Sequence, residues 1–256
     1  VMKWMIGIII ALLVAVVLLG GIKRIGQVTE KLVPFMALLY IILSIGVIVL
    51  NWRSVPDVFK MIFEGAFNPK AITGGLVGSL FVSLKKGVSR GIFSNEAGLG
   101  TGSIAHACSD TDDAVQQGYF GIFEVFMDTI VICTMTALVI LCSGVTDPTL
   151  EGAALVMAAF STRFGAFGRI FITLSVMLFA FATLIGWSVC GESAARYLSP
   201  RWGSCVYRIC FLFACMIGAV QDLTLVWQLS DLFNGLMAFP NLIGLIGLRR
   251  HVHPPA

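Results

Sequence analysis

The stretch Arg90-Gly-Ile-Phe-Ser-Asn-Glu-Ala-Gly-Leu-Gly-Thr-Gly-Ser-Ile-Ala-His106 gathers the polar groups best suited to binding chemistry in an otherwise apolar chain. Glycines at 91, 98, 100 and 102 weaken a continuous helix, and Ser94, Asn95 and Glu96 are costly in hydrocarbon. Inside a membrane such a segment persists only where irregular backbone lines a cavity or packs against protein. Those features describe a discontinuous helix. Its freed amides can hold a carboxylate, and its freed carbonyls can hold a cation. The competing reading is a glycine-rich helix crossing in which Glu96 pairs with Arg90 for structure alone. A phosphate loop is excluded, since there is no G-x-x-x-x-G-K-[ST] and no strand context.

A second candidate lies in Phe179-Ala-Phe-Ala-Thr-Leu-Ile-Gly-Trp187, where Thr183 and Trp187 stand one helical turn apart on one face. The threonine hydroxyl is a hard oxygen suited to sodium. The indole can wall a small pocket while donating one hydrogen bond. Taken alone, a Thr-x-x-x-Trp pair is more often packing than a site. Glu124 and Asp128 share a face at i and i+4, and Glu192 ends a later apolar run. Acids within membrane segments are functional by default, yet nothing separates ion coupling from structural pairing, so their roles stay open. Gln228, Asp231, Asn234 and Asn241 form a polar stripe that reads as interhelical hydrogen bonding, near a possible kink at Pro240.

These groups need elements to position them, and composition says what kind. Hydrophobic residues make up 58% of the chain and charged residues 12%, with a mean hydropathy of +0.94. Soluble domains are roughly 45–50% apolar and about 25% charged, so a water-exposed surface could not be covered. The net charge of +3 is too small to point to nucleic acid. The seven cysteines form no C-x-x-C pair, which leaves neither a zinc site nor a thioredoxin-like motif. A crossing helix needs about 20 apolar residues. Residues 4–21, 32–50, 72–107, 118–141 and 170–190, with a hairpin over 206–248 interrupted near Gln221 and Asp222, predict about seven crossings by that measure. Positive loops favour the cytoplasm. Lys23, Arg24 and Lys31, then Arg196, Arg201 and Arg208, then Arg249 and Arg250 fall on one side only if 72–107 crosses an odd number of times. One interrupted crossing is therefore expected, with 74–86 at the outer surface or entering part way. Segments 22–31, 196–208 and 249–256 are then cytoplasmic, whereas 51–70 and 143–168 are external loops. The chain opens at Val1, within a few residues of an apolar run, and reads as a fragment lacking its beginning.

The run Gly87-Val-Ser-Arg-Gly-Ile-Phe-Ser-Asn-Glu-Ala-Gly-Leu-Gly100 resembles the signature of the alanine or glycine:cation symporter family, the sodium:alanine symporters. Gly20-Gly-Ile-Lys-Arg-Ile25, Val28-Thr-Glu-Lys-Leu-Val-Pro-Phe-Met-Ala37, Phe181-Ala-Thr-Leu-Ile-Gly-Trp187 and Asn234-Gly-Leu-Met-Ala-Phe-Pro-Asn241 are similar as well. The chain departs where the family commonly has Ser-Ala-Pro, having Thr101-Gly-Ser103 instead. The resemblance implies an all-α integral membrane protein with a partial leucine-transporter-like inverted-repeat fold. Residues 1–50 would be the last two helices of the first repeat and 71–256 the second. Phe93, Ser94, Asn95, Glu96, Ala97, Gly98 and Trp187 would then contact substrate. Thr183 would bind sodium with ligands from a missing first core helix.

The activity so implied is sodium-driven symport of a small neutral amino acid, alanine or glycine, across the cell membrane. Sodium is the coupling ion, with no further cofactor. The alternatives are an intramembrane enzyme using Glu96, His106 or the Glu124/Asp128 pair, which no H-E-x-x-H or G-x-S-x-G motif supports, and a channel-like or structural membrane subunit.

Overall fold

Apolar runs of this length must satisfy every backbone amide and carbonyl internally, and helix is the local solution. The computed structural model describes residues 2–18, 20–67, 76–147 and 149–251. Among them there are helices and connecting turns and no strand: α1 (Met2–Leu18), α2 (Gly21–Leu50), α3 (Val55–Phe67), α4 (Leu76–Ser94), α5 (Thr101–His106), α6 (Ala114–Val125), α7 (Thr134–Ser143), α8 (Ala153–Leu198), α9 (Gly203–Gly218) and α10 (Leu223–Leu248). A π-helical stretch, Phe126–Cys133, joins α6 to α7 without a break. Among the described residues four helical spans are long and apolar enough to cross a membrane: Glu30–Leu50, Ala114–Ser143, Ala153–Leu198 and Leu223–Leu248. α1 and α9 are shorter apolar helices. Residues 68–75, Pro148 and 252–256 lie outside the described residues. So do the start of the expected third crossing and part of the expected external loop and cytoplasmic tail.

The structure corrects several boundaries. The segment read as external loop before residue 170 is helical from Ala153, because Ala-Ala-Leu-Val-Met-Ala-Ala-Phe carries strong helix formers. The bend falls at Gly165, whose φ of 54° and ψ of −133° only glycine adopts readily. Much of the other expected external loop is the amphipathic helix α3, whose Lys60 and Glu64 pair at i,i+4. The stretch expected to be a third crossing is not among these spans, but its helix is interrupted where the glycines predicted, over residues 95–100. Lys85 and Lys86 sit within the continuous helix α4.

The chain divides into two compact units, each assembled from separate stretches. One comprises Val33–Gly91 and Glu124–Phe179. Its core joins Tyr40 and Val47 of α2, Val139 of α7, and Ala159, Phe160 and Ile172 of α8. The Tyr40 hydroxyl donates to Thr136 Oγ1 at 2.6 Å, and Thr136 in turn donates to the Ile132 carbonyl. Past the end of α2, Asn51 donates to the Val47 carbonyl and receives the Nε and Nη2 of Arg163.

The other unit comprises Val1–Leu32, Ile92–Phe123 and Ala180–Ala256. Here α1 packs on α9, and the helices touch at Gly7. A Cβ there would stand 3.0 Å from that of Ala219 and 3.1 Å from the Met216 carbonyl oxygen. Small residues of this kind let membrane helices approach closely. Val14, Val17 and Leu18 of α1 meet Ile185 of α8, with Phe181, Phe211 and Leu212 around them. Large apolar side chains on the outer faces stay exposed, Ile8 and Leu12 of α1 and Phe239 and Ile246 of α10 among them. In water this would be a liability; against acyl chains it is the expected surface.

Candidate functional site

The interruption between α4 and α5 is built by backbone geometry that the local sequence only partly favours. α4 ends in a Schellman closure: the Ala97 amide donates to the Ile92 carbonyl at 3.1 Å, and the Glu96 amide to the Phe93 carbonyl at 3.4 Å. That closure needs a left-handed residue at position 96, where glycine is usual. The chain places a glutamate there, at φ 49°, among the described residues the one non-glycine with positive φ. The conformation costs about 1–2 kcal/mol for an L-residue with a Cβ. Gly98 at φ 75° and Gly100 at φ 87° then turn the chain into α5 without such a cost.

What holds Glu96 there is its side chain. Trp187 Nε1 of α8 donates to Glu96 Oε1 at 2.6 Å, and Thr101 Oγ1 donates to Glu96 Oε2 at 2.5 Å. Each hydrogen bond to a carboxylate is worth about 1.5–3 kcal/mol, so the two together outweigh the backbone strain. Thr101 is buried, and its carbonyl accepts a weak bond from Cys190 Sγ of α8 at 3.7 Å. From α10, Asn241 Nδ2 donates to the Gly98 carbonyl at 2.9 Å. Asn241 also closes the space over Gly100, where a Cβ would come 2.9 Å from Asn241 Oδ1. Phe93, in the last turn of α4, lies between two indoles. Its ring centroid is 5.7 Å from Trp187 and 5.6 Å from Trp227 of α10. The interruption is thus tied to α8 and α10 by named side chains within one unit.

The residues singled out in the sequence fall as follows. Ser94 and Ala97 are exposed, while Phe93, Asn95, Glu96 and Gly98 are half-buried along the break. Trp187 joins them through Glu96. Thr183 stands one turn before Trp187 on α8 and is exposed. Several carbonyls expected to be freed are already engaged: Ile92, Phe93 and Glu96 by backbone amides, Gly98 by Asn241, and Gly100 by Ser103 Oγ at 2.7 Å. Three partners were not singled out for the site: Thr101, Cys190 and Trp227. Asn241 makes the interhelical hydrogen bond that its place in the polar stripe predicts, and that bond clamps this break. A threonine directly after the Gly98-Leu-Gly100 run was the signal the sequence offered for Thr101.

The other acids separate. Glu192 is buried near the end of α8 and receives Arg208 of α9 through Nε at 3.0 Å and Nη2 at 2.8 Å, with Arg196 Nη2 at 3.1 Å. That arrangement is a structural ion-pair cluster joining the two helices. Glu124 lies in the last turn of α6, and Asp128 lies in the π-helical stretch that follows. Asp231 is exposed on α10.

A model of the sodium:alanine symporter family matches residues 1–254. Among curated relatives, an uncharacterized transporter of Haemophilus influenzae is 43% identical over 95% of this chain and 54% of its own length. The sodium/alanine symporter AgcS of Methanococcus maripaludis is 41% identical over 94% of this chain and 53% of its own. The probable sodium/glutamine symporter GlnT of Bacillus subtilis is 39% identical over 96% and 52% respectively. The chain therefore spans about half the length of these relatives.

Proposed function

Because the chain belongs to the sodium:alanine symporter family, a family of transporters and not of enzymes, we propose that it forms the part of a cation-coupled amino-acid symporter that carries one broken helix of the binding site. The single observation that supports this most is the interruption at residues 95–100, pinned from α8 and α10. A membrane protein keeps unwound backbone at depth only where it lines a cavity or a protein contact. The substrate in this reading is a small neutral amino acid, alanine or glycine, and the coupling ion is sodium. The relatives' names support alanine and glutamine for those proteins, and the resemblance of the signature supports the smaller side chain here.

Phe93, Ser94, Asn95, Ala97 and Gly98, together with the backbone of Glu96, would present polar groups to the substrate's ammonium and carboxylate. Trp187 would close the pocket above a small side chain. Thr183 would give a hydroxyl oxygen to sodium, completed by ligands from a first core helix outside this chain. The same reading assigns a partial leucine-transporter-like fold in the cell membrane, with 22–31, 196–208 and 249–256 facing the cytoplasm. The test is uptake of labelled alanine by proteoliposomes holding a full-length carrier that bears this sequence. Uptake driven by an inward sodium gradient is expected. Uptake indifferent to sodium would refute symport.

A further inference from the structure

We infer that Glu96 is a positioning residue that sets side-chain size selectivity by holding the Trp187 indole, an inference that rests on the transport reading above. Three observations carry it. Glu96 occupies a left-handed position at φ 49° that glycine would take more cheaply, so the side chain is kept there for what it reaches. Both carboxylate oxygens are engaged by side chains, Trp187 Nε1 at 2.6 Å and Thr101 Oγ1 at 2.5 Å. The indole it receives packs at 5.7 Å on Phe93, whose own carbonyl accepts the Glu96 amide. Backbone break and aromatic wall are therefore closed by the same residue. Loosening the carboxylate frees the indole to swing, and a pocket wall that swings accepts a longer side chain.

The discriminating variants follow from the donor and acceptor inventory. Glu96→Ala keeps the left-handed strain and loses both bonds. Glu96→Gly loses both bonds and the strain together, which guards against a variant that fails to fold. Glu96→Gln can accept from Trp187 with its carbonyl oxygen and donate to the Thr101 hydroxyl with its amide, so it keeps the latch and removes the charge. Trp187→Phe keeps a ring and removes the donor.

The experiment measures uptake of labelled alanine and of a larger neutral amino acid, leucine, by the full-length carrier in proteoliposomes. Glu96→Ala and Glu96→Gly are expected to raise the leucine-to-alanine ratio by about tenfold, the low end of what one methylene is worth in an apolar pocket. Trp187→Phe should do the same, and the double variant Glu96→Ala/Trp187→Phe should go no further. Glu96→Gln should rescue most of the selectivity lost in Glu96→Ala. If Glu96→Gln is as impaired as Glu96→Ala, the carboxylate charge meets substrate or ion directly and positioning is refuted. Multiplying effects in the double variant refute it equally.

A readout independent of transport is the hydrogen-bond-sensitive ultraviolet resonance Raman band of Trp187, isolated from those of the other tryptophans as the difference from Trp187→Phe. Glu96→Ala should move it and Glu96→Gln should restore it. An unmoved band overturns the latch whatever is transported. A moved band in a carrier without sodium-driven uptake overturns the transport reading, and with it the selectivity claim, while leaving the latch standing.

Discussion

Gly100→Ala tests whether the break is held from α10 as described. Alanine at φ 87° carries about 1–2 kcal/mol of left-handed strain. Its Cβ would also arrive 2.9 Å from Asn241 Oδ1 and 3.1 Å from Asn241 Cγ, inside contact distance. Asn241 cannot yield freely, because its Nδ2 is committed to the Gly98 carbonyl at 2.9 Å. Moving it forfeits a hydrogen bond of about 1 kcal/mol. The expected total is about 2–3 kcal/mol. In a full-length carrier about twice this size, the melting temperature should fall by a few degrees. The assay is thermal unfolding of the detergent-solubilised full-length carrier, followed by tryptophan fluorescence. Asn241→Ala alone should cost about 1 kcal/mol. The double variant should cost no more than Gly100→Ala, since the bond can be lost only once. Strictly additive losses, or a Gly100→Ala carrier as stable as its parent, would refute the clamp.

Thr183→Ala should raise the sodium concentration needed for half-maximal uptake, measured across sodium gradients in proteoliposomes; an unchanged sodium dependence would remove Thr183 from the ion site. Arg208→Ala should destabilise the carrier by about 2–3 kcal/mol, less than the 3–5 of a fully buried pair because Arg208 is one-third exposed and Arg196 remains. Thermal unfolding reads this, and Arg208→Lys should recover only part, since Lys cannot make the bidentate contact. Asp222 caps α10 by accepting from the Thr224 and Leu225 amides, which holds its carboxyl below the usual carboxylate range. A lowered folded-state pKa contributes stability above the unfolded value and loses it as pH falls through the folded one. Asp222→Ala should therefore destabilise at neutral pH and lose its effect in acid, as read by melting temperature against pH.

Much of the candidate site was legible because glycine spacing is a local property. Glycines at 91, 98, 100 and 102 cannot hold one helix together, and the chain does break at 95–100. Thr183 and Trp187 share a face by helical geometry alone. Less was legible at α8, where the loop expected over 143–168 gives way to helix from Ala153 onward. The π-helical turn carrying Asp128 has no sequence signature that spacing rules detect. Tyr40 and Thr136, 96 positions apart, meet across the core of their unit without any shared motif.

By itself the sequence determined that the chain belongs among apolar helices and that one of them is interrupted near Glu96. Hydrophobicity sums residue by residue, and helix breaking acts over a single turn. Only the tertiary structure decided why the interruption takes the form it does. Trp187 is 91 positions from Glu96 and Asn241 is 143 from Gly98, and no local rule links such pairs. Their hydrogen bonds exist only once the break, the second half of α8 and α10 are packed together within their unit. The strain at Glu96 is tolerated because that packing supplies the donors, so a residue poorly suited to its backbone position becomes the one that ties the break to its wall.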